Sequence, residues 1–306
     1  MLNSKNGVAA LSVALNVFLT LLKLGVGIAI GSVSVISEAV HSGIDLVAAV
    51  MALIAVRTSS RPPDEKHHYG HGKVESLAGA AEGALIFLAA LLIINEAIQK
   101  LLHGAELESV DAGIYVMAVS TVGNLVLARL VMKVARDTDS QALEADGWHH
   151  ATDVLTSLGV ALGLGVVWLT GHSELDPLVA IGVALFICKA AYDITLRSAG
   201  DLLDSSLPED EQARILKVLD SHIQSVQDLV EYHQVRTRKS GAERHVDLHL
   251  VMKRNATVQQ SHDLCDHLED HLQEALGPVS LNIHVEPCEA DCAQCGPSCP
   301  PDDRAV

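Results

Sequence analysis

Long apolar segments dominate the first two thirds of the chain. A helix needs about 20 predominantly apolar residues to cross the hydrocarbon core of a bilayer. Six segments reach that length, at residues 8–30, 33–56, 77–98, 114–134, 146–169 and 177–197. The first is too long for a cleaved signal peptide and leads directly into the second. The pattern predicts an α-helical membrane protein with a domain of six transmembrane helices over residues 1–206.

Lysine and arginine are distributed unevenly between these segments. The links after the second and fourth segments carry or adjoin several of them, namely Arg57, Arg61, Lys66, Lys73, Arg129, Lys133 and Arg136. The stretches around Gly31, over residues 105–112 and over residues 171–175 carry none. Because basic residues concentrate on the cytoplasmic side of membrane proteins, this distribution predicts that both termini are cytoplasmic.

The pattern changes to short periodicities after residue 206. A helix is predicted over 208–223, and alternating strands over 229–238 and 244–252 flank a turn at 239–242. Thr257 and Gln260 form a capping-box pattern that begins a second helix, which ends near Leu276. Residues 280–286 alternate as a last strand. The order α-β-β-α-β predicts a cytoplasmic ferredoxin-like α+β domain over 207–287, followed by a cysteine-rich tail over 288–306.

Composition narrows the possible functions. Only 19% of the 306 residues are charged, against about 25% in a typical soluble protein. The net charge of −17 excludes nucleic acid as a partner, because its phosphates would repel this surface. The chain also contains 16 histidines. These features indicate a membrane protein whose chemistry involves histidine.

Two of the predicted membrane helices carry the same pair of ionisable residues. His41 and Asp45 lie four residues apart in the second, and His149 and Asp153 repeat the spacing in the fifth. Each pair therefore shares one helical face. Two imidazoles and two carboxylates suit tetrahedral Zn²⁺ better than Cu(I), Mg²⁺ or Ca²⁺. The alternative is isolated polar groups satisfied by neighbouring helices, but such residues are costly in a membrane, and the repeated spacing favours a site.

Three motifs resemble the cation diffusion facilitator family. They are SEAVHSGID at residues 37–45, YGHGKVE at 69–75 and HHATD at 149–153, and the resemblance extends over almost the whole chain. It implies a homodimeric antiporter, in a bacterial inner membrane, that exports Zn²⁺ or a similar divalent cation in exchange for protons by alternating access. It assigns the transport site to His41, Asp45, His149 and Asp153. Histidine at position 41 is the pattern of zinc members, with Cd²⁺, Co²⁺ and Fe²⁺ as alternative substrates.

The resemblance also implies metal sites outside the membrane. One lies in the cytoplasmic link, at Asp64, His67 and His71, where a solvated polar loop is the alternative. The other lies in the cytoplasmic domain, at His233, His249, His284 and Glu286 with His262 adjoining. Glu286 stands where aspartate is common, and ordinary surface histidines are the alternative there. Three other histidines of this domain, His222, His267 and His271, are expected at the surface.

Two further features are less specific. The resemblance implies a charge interlock in which Lys73 meets Asp204 across the dimer, with two solvated side chains as the alternative. In the tail, Cys288, Cys292, Cys295 and Cys299 follow a C-x3-C-x2-C-x3-C pattern. Cysteines on a cytoplasmic tail stay reduced and could bind Zn²⁺ or a softer ion, or the tail could be a disordered end.

Two other function classes compete with transport. A membrane-anchored metal sensor would use the cytoplasmic domain as its receptor, but it would have no need of paired ligands inside the bilayer. An intramembrane metalloenzyme is disfavoured because the chain has no H-E-x-x-H motif and because two His plus two Asp leave no position for a catalytic water. The sequence therefore favours a proton-coupled Zn²⁺ exporter that is not an enzyme.

Overall fold

The chain folds as two units, Met1–Leu202 and Leu203–Val306. The computed structural model describes residues 4–30, 33–103, 113–172 and 174–288. The first unit contains six long helices, α1 (Lys5–Ile30), α2 (Val33–Ser59), α3 (Lys73–His103), α4 (Gly113–Thr138), α5 (Gln141–Thr170) and α6 (Leu175–Leu202). Each of the six predicted apolar segments lies within one of these helices. The domain limits predicted at residues 206 and 287 stay predictions.

Five of the described helical segments are long and apolar enough to cross a membrane, which makes the chain a multi-pass membrane protein. They are Lys5–Ala29, Ala39–Ser59, Lys73–His103, Ala118–Thr138 and Leu175–Leu202. The predicted fifth span, in α5, is not among them, so the count of six spans stays a prediction. Many large apolar side chains on the five segments are exposed, including Leu21, Ile28, Ile54, Leu92 and Leu185. They are the surface that a lipid bilayer would cover.

Small residues bring α3 and α6 close together. Gly79 and Gly83 lie four residues apart on one face of α3. A Cβ atom at Gly83 would stand 2.5 Å from Thr195 Oγ1 and 3.2 Å from Thr195 N of α6. At Gly79 it would stand 2.8 Å from Ser198 Oγ. The spacing is that of the small-residue motif with which membrane helices pack at short distance.

A buried carboxylate near the N-terminus of α3 connects four helices of this unit. Glu75 of α3 is 1% exposed. Its Oε1 accepts from Lys5 Nζ of α1 at 3.2 Å and from Ser59 Oγ of α2 at 2.6 Å. Its Oε2 accepts from Ser140 Oγ, the N-cap of α5. A buried charge is tolerated when it is paired and hydrogen-bonded in this way.

The second unit is a three-stranded sheet with two helices. Its elements follow the predicted α-β-β-α-β order, α7 (Glu209–Ser225), β1 (Leu229–Ser240), β2 (Glu243–Met252), α8 (Val258–Leu276) and β3 (Val279–Pro287). β1 pairs with β2 antiparallel and β2 pairs with β3 parallel, in the order β1-β2-β3. The capping box of Thr257 and Gln260 is confirmed. The turn between β1 and β2 is shorter than predicted, because both strands extend to it and Gly241 adopts a φ of +63° there.

The two faces of the sheet differ as the alternation in β2 predicts. Val246, Leu248 and Leu250 are at most 1% exposed and belong to one apolar core. The two helices contribute Ile215, Leu219, Leu264, Leu268 and Leu272 to the same core. The helices therefore cover the apolar face of the sheet and leave His249 and its neighbours on the opposite face.

Candidate metal centres

Three of the four predicted transport ligands come together in the first unit. Asp45 of α2 and His149 and Asp153 of α5 each offer a ligand atom within 4.8 Å of the others. Asp45 Oδ1 lies 3.1 Å from His149 Nε2, and Asp45 is 5% exposed. The other ring nitrogen of His149, Nδ1, is buried with no hydrogen-bond partner among the described residues. One nitrogen and two carboxylates from two helices form a donor set that a divalent transition metal accepts.

His41 lies farther from this group. Its Nε2 is 3.9 Å from Asp45 Oδ1, and its side chain is 56% exposed. The predicted spacing does place it one turn before Asp45 on α2, but the ring is turned to the exposed side of the helix. His41 is not part of the three-residue group in this arrangement, and its role as a fourth ligand stays a prediction.

Asn124 is a neighbour of the site that sequence reasoning missed. Its Nδ2 in α4 donates to Asp153 Oδ2 at 3.0 Å. The contact holds one carboxylate oxygen of Asp153, which also belongs to the group with His149 and Asp45. Hydrogen bonds of this kind, from residues that do not bind the metal themselves, orient metal ligands. The signal in the sequence was an amide near the middle of a predicted membrane segment.

A second polar group is buried beside the site. Ser12 Oγ of α1 lies 3.2 Å from Asp146 Oδ1 and 3.0 Å from His150 Nε2 of α5. The distance between Asp146 Oδ1 and His150 Nε2 is 3.5 Å. All three side chains are fully or almost fully buried. His150 of α5 thus contacts α1 through Ser12. Glu82 of α3 is also buried, at 1% exposure.

The predicted loop residues also lie together. His67 Nδ1 is 3.1 Å from Asp64 Oδ1, and His71 Nε2 is 3.3 Å from Asp64 Oδ2. The two rings have centroids 4.5 Å apart. Backbone N–H groups of Lys66 and His67 donate to Asp64 and hold the pKa of its carboxyl below the usual range. The loop therefore presents an ionised carboxylate between two imidazoles, a grouping that can hold a divalent cation.

Strand register aligns the predicted ligands of the second unit. His233 of β1 pairs with His249 of β2, which pairs with His284 of β3, so the three imidazoles form one row across the sheet. A register shift follows His233, and Gln234 adopts a φ of +52° there. This irregularity has the form of a β-bulge, which re-aims the adjacent side chains.

Glu286 contacts all three histidines of the row. Its Oε1 lies 2.8 Å from His249 Nδ1 and 3.5 Å from His284 Nε2, and its Oε2 lies 3.5 Å from His233 Nε2. The hydrogen bond with His249 lowers the pKa of Glu286. The glutamate side chain thus reaches every member of the row.

Two predicted ligands stand apart from these groups. His262 lies on α8, where its Nε2 is 3.5 Å from Asp266 Oδ2 and both side chains are well exposed. It is not in the group formed by His233, His249 and Glu286. In the tail only Cys288 is described, and it is buried against Val251 and Val230. Cys292, Cys295 and Cys299 lie outside the described residues.

The predicted interlock residues have partners within their own units. Lys73 Nζ donates to Leu202 O at 3.5 Å in the first unit. Asp204 Oδ1 lies 3.8 Å from Arg238 Nη1 in the second. A contact between Lys73 and Asp204 across a dimer stays a prediction.

Of the three histidines expected at the surface, His222 is buried, His271 is partly buried and His267 is exposed. His222 of α7 is buried, and His267 and His271 of α8 lie beside it. The three rings have centroids between 4.2 and 5.4 Å apart. The sequence signal was the H-x3-H spacing of His267 and His271, the same spacing that identifies faces in the membrane helices.

Comparison with known proteins places this architecture in a family. Residues 9–203 match the cation efflux transmembrane domain, and residues 207–288 match the cytoplasmic domain of cation efflux proteins. The chain belongs to the cation efflux family. This confirms the resemblance to the cation diffusion facilitators, and the family consists of transporters of divalent cations.

Relatives match along most of their length. An uncharacterized transporter of Synechocystis sp. is 32% identical over 88% of this chain and 86% of its own. The cation-efflux pump FieF of Salmonella newport is 32% identical over 84% of each chain. A solved structure of CzrB in its zinc form is 36% identical, covers 28% of this chain and 92% of its own, and superposes with a TM-score of 0.26.

Proposed function

We propose that this cation efflux protein exports Zn²⁺ from the cytoplasm in exchange for protons. The observation that supports the proposal is the group of Asp45, His149 and Asp153, which two helices bring within 4.8 Å inside the membrane unit. A ligand set of imidazole and carboxylate suits Zn²⁺. Cu(I) prefers sulfur ligands and Ca²⁺ prefers oxygen ligands alone, so this set favours neither of them. Cd²⁺, Co²⁺ and Fe²⁺ accept the same ligands and are the competing substrates.

Charge balance explains why metal and protons would exchange at this group. Two ionised carboxylates in a membrane are costly unless positive charge offsets them. A divalent cation offsets both, and so do protons on the carboxylates or on His149. Because metal ligands must be deprotonated, protons arriving from the acidic side release the metal, and a metal arriving from the cytoplasm releases protons. Alternation of access between the two sides then couples the two flows.

The rest of the architecture follows from this role. α5 carries two of the three ligands and contacts Asp45 of α2, so we propose that it crosses the membrane as a sixth span, with both termini in the cytoplasm of a bacterial cell. We assign the α-β-β-α-β unit to the ferredoxin-like folds. The family model that its residues match is named for a dimer, which supports assembly of the chain as a homodimer.

The loop and sheet groups are proposed as cytoplasmic metal sites. Asp64, His67 and His71 form the loop site, and His233, His249, His284 and Glu286 form the sheet site. Both groups combine a carboxylate of lowered pKa with imidazoles. Occupancy of such sites at rising cytoplasmic zinc would give the transporter a means of sensing its substrate.

Zinc uptake into everted membrane vesicles tests the proposal. With an acidic lumen, uptake of radioactive zinc is expected to accelerate, because protons leave the lumen as zinc enters. An ionophore that exchanges protons for potassium should abolish the acceleration without damaging the vesicles. Uptake that is the same with and without the gradient would remove the antiport mechanism. Absence of any protein-dependent uptake would favour a sensor that carries no flux.

A further inference from the structure

Three histidines meet between the two helices of the second unit. His222 lies in the last turn of α7, and His267 and His271 lie one turn apart on α8. Each offers a ring nitrogen within 4.8 Å of the others. The two α8 rings have centroids 4.2 Å apart, and the His222 ring is 5.0 Å from that of His271. No function discussed above uses these residues.

The environment of His222 prepares its ring to bind a metal. The side chain is 3% exposed, and its Nδ1 lies 2.8 Å from Val218 O, the carbonyl one turn earlier in α7. A carbonyl only accepts, so Nδ1 carries the proton and Nε2 presents its lone pair. Metal-binding histidines usually have this arrangement, in which one nitrogen donates to the backbone and the other binds the ion.

The close packing of the three rings favours the binding of one metal ion. Three imidazolium rings in mutual contact would repel one another. Neutral imidazoles, in contrast, each offer a lone pair, and the three ligand nitrogens lie within 4.8 Å of one another. Asp266 precedes His267 and Asp270 precedes His271 in the sequence, so negative charge close to both residues also favours a cation.

The group is separate from the proposed sheet site. α7 and α8 pack on the apolar face of the sheet through Leu219 and Leu268 of the shared core. His233, His249 and Glu286 occupy the strands on the other face. The two groups share no ligand, and the core of the unit lies between them.

We propose that His222, His267 and His271 form a second metal site of the cytoplasmic unit, which binds a divalent transition-metal ion of the Zn²⁺ class. Three imidazole nitrogens fill three tetrahedral positions at about 2.0–2.1 Å and leave the fourth to water. His267 is exposed, so the ion can reach the site from solvent. The bound ion would cross-link α7 to α8 and stabilise the helical layer.

Residue-specific protection tests this site on the full-length protein in detergent. Metal-free protein is treated with diethylpyrocarbonate with and without Zn²⁺, and each histidine is scored by mass spectrometry. At free zinc about tenfold above the dissociation constant, roughly nine tenths of the sites are filled. Modification of His267 and His271 should then fall about tenfold, while that of the exposed His172 in the α5–α6 link stays unchanged. Equal modification of His267 with and without zinc would overturn the proposal.

A double variant supplies an independent count. His267→Gln with His271→Gln leaves the buried His222 in place and is expected to bind about one zinc ion fewer per chain by equilibrium dialysis. His172→Gln should bind as many as the unaltered chain. Zinc protection of His249 should persist in the double variant, which separates this site from the sheet site. An unchanged zinc count in the double variant would contradict the assignment, and the protection assay decides the question if that variant does not fold.

Discussion

Replacement of Asp45 by asparagine is expected to lower zinc uptake into everted vesicles by at least about 100-fold. The carboxylate contacts His149 at 3.1 Å and is one of two anionic ligands in the group. The amide keeps the size of the side chain but removes its negative charge. The group then has one carboxylate left and can no longer balance both charges of a divalent cation. Loss even of residues that only orient ligands costs about 10–100-fold in metal affinity, and loss of a ligand should cost at least as much.

Asp193→Asn is the matched control for that variant. Asp193 is an exposed carboxylate on α6 in the same unit. The control should transport zinc at the rate of the unaltered chain, and both variants should be present in the membrane in equal amounts. Normal uptake by a folded Asp45→Asn protein would show that Asp45 does not bind the transported ion.

Gly83→Leu is expected to destabilise the membrane unit by about 1–3 kcal/mol or more, since overpacking a close interface forces the backbone to move. Even a single Cβ at this position would lie 2.5 Å from Thr195 Oγ1 and 3.3 Å from Ala191 O. The Thr195 hydroxyl is itself held by a hydrogen bond to Ala191 O at 2.8 Å. The larger side chain must therefore separate α3 from α6, which a lower thermal unfolding temperature in detergent would reveal.

Gly182→Leu provides the comparison for the same substitution. Gly182 lies in α6, and a Cβ there would meet nothing within 4 Å. Both variants gain the same helix propensity, so the difference between their unfolding temperatures isolates the packing at Gly83. Equal unfolding temperatures would show that close approach of α3 and α6 contributes nothing to stability.

Periodicity was sufficient to locate the elements of this fold. Apolar length located the six helices of the first unit, and alternation separated the buried Val246, Leu248 and Leu250 from His249. The capping box at Thr257 marked the start of α8 because its hydrogen bonds are local. The turn at Gly241 was less predictable, because strand ends depend on pairing with a partner strand.

The candidate sites were predictable only in part. Helical spacing identified Asp45, His149 and Asp153, because residues four apart share a face in any helix. The same rule could not fix the rotamer that turns His41 outward, nor the contact between Asn124 and Asp153, since both depend on how separate helices pack. His222 was missed for a similar reason. Its partners, His267 and His271, lie on another helix, and no local pattern joins them.

The most direct test of the central claim, that Asp45, His149 and Asp153 bind the transported ion, is to locate zinc in the full-length protein by anomalous scattering. The account predicts an anomalous peak in the membrane unit about 2.0–2.2 Å from a nitrogen of His149 and from carboxylate oxygens of Asp45 and Asp153. The account would be contradicted if peaks appeared at the cytoplasmic groups alone. The protein used must transport zinc, and the zinc concentration must saturate transport.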